Sequence, residues 1–551
     1  MDSAGSAPLP GFEYAAEPGD SHHSPEAFDF IERCRTTCNR THSDCQRNRA
    51  ERILPPRLIR VEKDRLVLID SVGLPNNTKY LALSYCWGKG RSLCTTSETM
   101  ASFQDGIDFE SVPPLLLDAA EVTRRLGEQY IWIDRLCIQQ DDPLDWQENA
   151  AIMARIYEQS DLTVAAVTSI SVDESFLRPA DGNHRDERVS LAILWLDECK
   201  EQFSDLYVRA RRKGPDISYT YDNPRHDAYP LDTRGWTFQE RHLAQRSVRY
   251  LPHQIIWECS TLKHMETFPF DRFGPETSSG WEHSVQKFTK RSLSYASDRA
   301  AAISGLAARH HRLTNERYLS GLWQNGAVIS QLLWNQHQYP GTSFCEAHSI
   351  PGAPSWSWLS ITQPIIWFQS GNKDKDKDYA NTIQIVDIDV RSSVPKPFGD
   401  SALTGTIVLE AGLLDATLRC QQQKATSPSA PIYKCTIQHA GRTDFSNFVS
   451  VDTHLELTTK DNMARWQRVS TRDLKDRQYL RPGSNAPIKL FAIATAKHKS
   501  FTFALMLSPL HGTSSATVPA YERIGQVLID HHEGRMPVAL ERPKRTTFCI
   551  V

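Results

Sequence analysis

Hydrophobic and polar positions follow two rhythms along this chain, and the change between them marks its elements. Between Tyr80 and about Thr168, short apolar runs at Tyr80 to Tyr85, Tyr130 to Asp134 and Leu162 to Val167 are separated by two stretches with helical spacing, Pro113 to Leu126 and Pro143 to Gln159. The runs are short and rich in β-branched and aromatic residues, as buried strands are. Asp142-Pro143 supplies an N-cap followed by a proline at the first helical position, and Gly127 closes the earlier helix. Strands joined by single helices predict parallel pairing through right-handed crossovers, hence a doubly wound α/β sheet. The strands at Leu81, Ile131 and Leu162 are then neighbours with their carboxyl ends on one edge. Ligands of such sheets bind past that edge, here at Asp134 to Asp142 and the first turns of the next helix.

The pattern divides the rest of the chain. Residues 1–25 are polar, Pro/Gly-rich and without a period, which predicts a disordered tail. Residues 26–79 read as an N-terminal helix, over 26–50, and a lead-in to the α/β domain at 80–260. Within that domain the stretch from Pro179 to Pro230 predicts loops with one helix around Leu191 to Phe203. Arg246 to Tyr250 and Ile255 to Cys259 predict an antiparallel strand pair around Pro252-His253. A helical region follows at 261–370, with helices at Phe288 to Arg312 and Tyr318 to Gln336, and then a β-rich C-terminal domain at 371–551. The alternating charges of Asn372 to Tyr379 predict an exposed loop.

Composition narrows the function classes. With 551 residues and a net charge of −3, no bulk basic field points to nucleic acid or an anionic membrane. The longest apolar runs fall short of the ~18 residues of a membrane span, and the N-terminus lacks a signal-peptide core. Twelve cysteines are scattered, many inside apolar segments such as those of Cys86, Cys137 and Cys259, which fits reduced thiols and a cytoplasmic location.

Several residues carry candidate chemistry. Ser84, Tyr85, Trp87 and Gly88 close the first strand and could line a pocket for a flat ring, or else serve as core and turn. Only Trp-Gly-Lys-Gly follows that strand, so a Rossmann redox cofactor is not indicated. Asp134, Gln139 and Asp141 could hold a ribose, a magnesium ion or simply their own loop. Glu148, at ~100° per residue, falls at the border of a helix face marked as buried by Trp146, Met153 and Tyr157. Its early turn favours the ionised form. Arg234, Gly235, Trp236, Gln239, Glu240 and Arg241 form a further block, in which Glu240 could pair with Arg234 or Arg241. Cys137 lies in the right loop for a nucleophile, but no histidine can be assigned to it. The stripe Cys34, Cys38, His42, Cys45 has zinc-ligand chemistry. On one straight helix, however, Cys34 and His42 lie about 12 Å apart at ~1.5 Å rise per residue, which predicts that these ligands cannot converge and that no metal is bound.

Three of these blocks, Tyr80 to Gly88 (YLALSYCWG), Tyr130 to Tyr157 with its WID-x-LCI-x-Q-DD core, and Leu231 to Arg246 (LDTRGWTFQERHLAQR), together resemble the fungal heterokaryon incompatibility (HET) domain. Asp298 to Gly305, Gly321 to Trp323, Leu333-Trp334 and Pro354 to Trp358 resemble the region that follows it in many such proteins. The resemblance implies a flavodoxin-like parallel sheet similar to that of Toll/interleukin-receptor (TIR) domains, and a role in non-self recognition and programmed cell death. It further implies that Glu148 occupies the place of the catalytic glutamate of NAD-cleaving TIR domains, with NAD as substrate and no resident cofactor. The other reading is a non-enzymatic module acting through protein partners or self-assembly. No P-loop and no repeat accompanies the domain.

Overall fold

The computed structural model describes residues 21–45, 53–90, 93–178, 187–197, 200–210, 229–252, 254–266, 272–273, 280–336, 350, 352–367, 383–391, 404–423, 432–438, 446–451, 455–460, 463–468, 485–495, 501–510, 518–530 and 545–551. The tail at 1–20 and the Asn372 to Tyr379 segment lie outside them. The chain divides into two compact units, Met1–Ser278 and Ser279–Val551.

The first unit contains, in chain order, α1 (Pro25–Thr41), β1 (Arg57–Val61), β2 (Arg65–Asp70), β3 (Leu81–Ser84), α2 (Met100–Asp105), β4 (Ile107–Asp108), α3 (Pro114–Arg125), β5 (Tyr130–Trp132), α4 (Asp134–Cys137), α5 (Pro143–Gln159), β6 (Leu162–Ala166), β7 (Glu187–Asp197), β8 (Lys200–Ala210), α6 (Trp236–Leu243), β9 (Arg246–Leu251), β10 (Gln254–Cys259), β11 (Leu262–Met265) and β12 (Arg272–Phe273). Ten of the strands form one sheet in the order β12-β11-β10-β9-β6-β3-β5-β1-β2-β4. Its centre is parallel as the pattern predicts: Leu81 pairs with Ile131 on one side and with Leu162 on the other, and Thr163 pairs with Ser247. β6 is buried at every position, as befits a strand covered on both faces. α5 starts where expected, with the Asp142 carboxylate accepting from Leu144 N, and Met153, Ile156 and Tyr157 face the core.

Other expectations are corrected. Trp146 is 39% exposed, because the first turns of α5 pack against α6, and its ring meets that of Trp236 edge-on at 6.4 Å. The helix expected around Leu191 to Phe203 is instead the antiparallel hairpin β7–β8, in register from Glu187↔Ala210 to Asp197↔Lys200. Leu191 to Leu196 is a short, uniformly apolar run, which a strand accommodates as well as a helix does. The lead-in contributes β1 and β2 to the same sheet, β1 antiparallel to β5. β9 and β10 pair antiparallel as expected, and β11 and β12 extend that edge.

The N-terminal helix ends at Thr41, with His42 extended and Ser43–Cys45 in a 3-10 turn. Ser43 and Asp44 offer the backbone local hydrogen bonds that compete with a helix. This early stop overturns the expectation that the cysteine and histidine side chains cannot converge, which assumed one straight helix through Cys45. Ligating atoms of Cys38, His42, Cys45 and Cys259 all lie within 4.8 Å of one another. Cys259 arrives from β10, and Cys34 is not part of the group.

In the second unit, α-helices at Trp281–Phe288 and Ala301–Thr314 replace the expected continuous helix from Phe288 to Arg312. The stretch expected to be helical from Tyr318 to Gln336 holds the hairpin Arg317–Leu319/Leu322–Gln324, a short helix Val328–Gln331 and a strand Trp334–Gln336. Ser320 and Gly321 form the hairpin turn at φ 45° and 96°, which a helix cannot contain. The tryptophan blocks meet: Trp358 donates to Gly321 O at 2.8 Å, and Trp334 donates to Trp356 O at 2.8 Å. A cavity of about 300 Å³ lies beside Lys290, Arg291 and the buried Arg299. The C-terminal part is an eight-stranded, largely antiparallel sheet, as the β-rich pattern predicts.

The burial difference is testable by denaturant unfolding. Trp132, fully buried and edge-on to Tyr157 at 5.6 Å, should cost about 3–5 kcal/mol when replaced by alanine, and Trp146→Ala roughly 1 kcal/mol or less. Equal losses would show that the first turns of α5 carry core packing after all.

Candidate functional site

The four parallel strands stand in the order β5-β3-β6-β9. The chain moves from β3 to β5 on one side, then crosses back to β6 on the other, so the crossover helices α3 and α5 cover opposite faces. This is the flavodoxin-like order, whose ligand crevice opens at the carboxyl ends of the first and third strands, here β3 and β6. In this protein the third sequence block fills that position. Leu231 N donates to Val167 O at 3.3 Å just past β6, and Arg234 donates to Tyr85 O at 2.9 Å just past β3. Thr237 Oγ1 bonds Leu231 O at 2.6 Å and Arg234 O at 2.9 Å, which ties the start of α6 to the preceding turn. From α6, Glu240 reaches back to β3 and accepts from Ser84 Oγ at 2.5 Å. Gly235 and Gln239 are buried in the same block.

Around this contact the polar groups of all three blocks gather. The Trp87 indole donates to Asp134 Oδ2 at 2.8 Å, and Tyr157 donates to Leu83 O at 3.0 Å. Burial pushes the Glu240 carboxyl up to about 7 and the Asp134 charge acts in the same direction, while the Ser84 hydrogen bond and the Arg234 guanidinium oppose them. Desolvation also raises Asp134, against the donors Trp87 and Tyr85. The Tyr85 phenol is pushed well above its ordinary range by burial and then by Asp134. The site thus holds two buried carboxyl groups reluctant to ionise together, beside the half-buried Arg234 guanidinium.

Arg241 turns away from this centre and clasps Glu258 through two bonds at 3.0 and 2.8 Å. Burial pushes the Glu258 carboxyl up, but Arg241, Lys263 and Arg249 outweigh it and hold it far below the carboxylate range. Of the two partners considered for Glu240, Arg241 is therefore engaged elsewhere. Gln139 and Asp141 belong to a separate loop network. Asp141 accepts from Ser97 N and Oγ, and Gln139 Nε2 donates to Asp141 at 3.1 Å. Gly88 has φ +76°, and a Cβ there would stand 2.4 Å from Ser171 Cβ, so its backbone approaches Ser171 closely. The Cys137 thiol is buried and pushed up to about 12 by desolvation, which leaves it un-ionised near neutrality. Glu148 is exposed and makes no hydrogen bond or ion pair with any described residue. Tyr157 and Arg135 join the centre although their patterns read as core and loop. Arg135 is fully buried, lies 4.8 Å from the Trp87 ring and donates to Gly90 O. An arginine set inside the apolar Ile131 to Ile138 run is the sequence signal for it.

Residues 80–240 match the family model for heterokaryon incompatibility protein (HET), a span that opens at Tyr80 and closes at Glu240. No curated protein and no solved structure matches the chain. Among the described residues no helix is long and apolar enough to cross a membrane.

Glu240 gives a pH signature. Its carboxyl titrates at about 7 in the fold against an ordinary 4.5, so between these values the folded chain holds a proton that the unfolded chain has released. Its contribution to stability is complete below 4.5, is lost as pH rises through 7, and is level above that. Urea unfolding should show wild-type stability falling by roughly 1–3 kcal/mol across this window relative to Glu240→Gln, which cannot ionise. Parallel pH profiles for the two proteins would contradict the buried, protonatable carboxyl.

Proposed function

Because the chain carries a heterokaryon incompatibility domain over residues 80–240, we propose that it acts in fungal non-self recognition as a cytoplasmic trigger of programmed cell death. In this reading its own third block holds the domain at rest. The observation that carries it is the block's position. Arg234 and Glu240 bind Tyr85 O and Ser84 where a sheet of this order ordinarily takes its ligand. A protein partner that draws α6 away would open Ser84, Tyr85, Trp87 and Asp134 to the outside. Such a partner shifts the equilibrium only by as much as it prefers the open state. The first turns of α5 offer it a contact, since Leu144 is 69% exposed and Trp146 39% exposed beside Trp236. Isolated apolar groups are ordinary on surfaces, but a leucine and an indole together at the rim of the crevice suit protein association.

A second reading, cleavage of the nicotinamide glycosidic bond of NAD, is favoured by Glu148. Its carboxylate is exposed, unpartnered among the described residues, and set on α5, the longer of the two helices between β5 and β6. A fixed carboxylate would stabilise the oxocarbenium-like transition state of that reaction.

Expression in a fungal host at matched abundance separates the two, with cell death and cellular NAD both recorded. Under the first reading the wild type kills, Leu144→Ser with Trp146→Ala loses most of the killing, and Glu148→Gln keeps it. Loss of both killing and NAD depletion in Glu148→Gln alone would install the enzymatic reading. A wild type that leaves the host unaffected, even when forcibly clustered, would sink both.

A further inference from the structure

At the end of α1 the chain turns sharply and brings its cysteines together at the margin of the hydrophobic core. Cys38 is buried on the last turn of the helix, His42 leaves it in extended conformation, and the 3-10 turn returns Cys45 to full burial. Cys259, the last residue of β10, completes the group, with its Sγ 3.4 Å from His42 Nδ1. All four ligating atoms lie within 4.8 Å of one another. In a tetrahedral zinc site with Zn–S of ~2.3 Å and Zn–N of ~2.0 Å, ligand atoms stand roughly 3.5–3.8 Å apart. Less than about 1 Å of contraction therefore closes the group around an ion of this size. We propose that Cys38, His42, Cys45 and Cys259 hold one structural zinc ion that staples the N-terminal helix to the sheet.

The donor set suits that ion. Three thiolates and an imidazole form a closed, four-coordinate site, and soft sulfur ligands select zinc over magnesium or calcium. The spacing Cys-x3-His-x2-Cys lies in the range of ligand pairs carried by a helix end and the turn after it. Each thiol loses its proton to solvent on binding, so the three thiolates and the ion carry a net charge of −1.

Arg246 is the independent observation. It is fully buried and sits directly opposite Cys259 in the β9–β10 register. Its Nε donates to Cys38 Sγ at 3.1 Å and an Nη donates to Cys45 O at 3.0 Å. Among the described residues no carboxylate lies in ion-pair range of it. A buried guanidinium without a counter-charge is strongly disfavoured, and an anionic metal–thiolate cluster supplies that charge. Leu262 N, donating to Cys259 Sγ at 3.4 Å, is an N–H···S contact of the kind that orients thiolate ligands.

The full chain, purified without chelators or a metal-binding tag, should contain one zinc per molecule by elemental analysis. Exchange with Co(II) should produce sulfur-to-metal charge-transfer absorption. Chelation should release the ion, expose three further thiols to a thiol reagent, and render the α1 segment sensitive to protease. Cys259→Ser should lose the zinc. His42→Cys, which restores a four-ligand site, should keep it where His42→Ala does not, and that pair of variants decides the matter if Cys259→Ser fails to fold. Wild-type protein that stays metal-free after refolding with excess zinc, or a disulfide among Cys38, Cys45 and Cys259 in freshly purified protein, would overturn the proposal.

Discussion

Burying the Glu240 carboxyl against the Ser84 hydroxyl joins two segments 156 residues apart in the chain, and much of the region from Tyr80 to Glu240 is arranged to make that burial tolerable. A carboxyl group removed from water must be protonated, hydrogen-bonded or charge-compensated. Here all three devices are present: a pKa near neutrality, the Ser84 donor and the Arg234 guanidinium. Arg234 in turn is held by the carbonyl of Tyr85, so the compensation reaches the end of β3 as well. Because each block supplies a part that the others need, the three are coupled as one polar centre. Removing one partner would leave the remainder buried and unsatisfied, the condition under which such networks are most costly.

The centre of the sheet was legible because its strands are short, apolar and separated by well-capped helices. Asp142-Pro143 and Gly127 mark boundaries by local chemistry alone, and both stand where that chemistry places them. The flanks were not legible for the opposite reason. β1 depends on pairing with β5, a contact between Ile59 and Ile131 that no local pattern announces, and β2 joins the sheet through β1. The hairpin β7–β8 was obscured because Leu191 to Leu196 is so uniformly apolar that helix and strand periods both fit.

The site shows the same division. Ser84, Tyr85, Trp87, Asp134, Arg234 and Glu240 could be named from their blocks, but their mutual arrangement needed the β5-β3-β6-β9 order. Burial on α5 misled for a geometric reason. A helical wheel assigns faces relative to one neighbour, whereas this helix meets α6 at its start and the sheet along Met153 to Tyr157, so Trp146 and Tyr157 share a stripe but not an environment. The convergence at Cys259 was hidden because one of the four members enters from β10 and two, His42 and Cys45, follow the end of the helix.

The ends of the ten-stranded sheet are two residues long, Ile107–Asp108 at one side and Arg272–Phe273 at the other. Open edges invite a second chain to continue the ladder, and stubs this short offer little template for it. This sheet is thereby guarded at its two ends against the strand-by-strand polymerisation to which a wide, apolar sheet is otherwise exposed. An amyloid-like register on the sheet edge would be self-propagating and hard to reverse, whereas contact through helical faces can be made and released at equilibrium. The blunted edges leave those faces as the surface on which association can remain reversible.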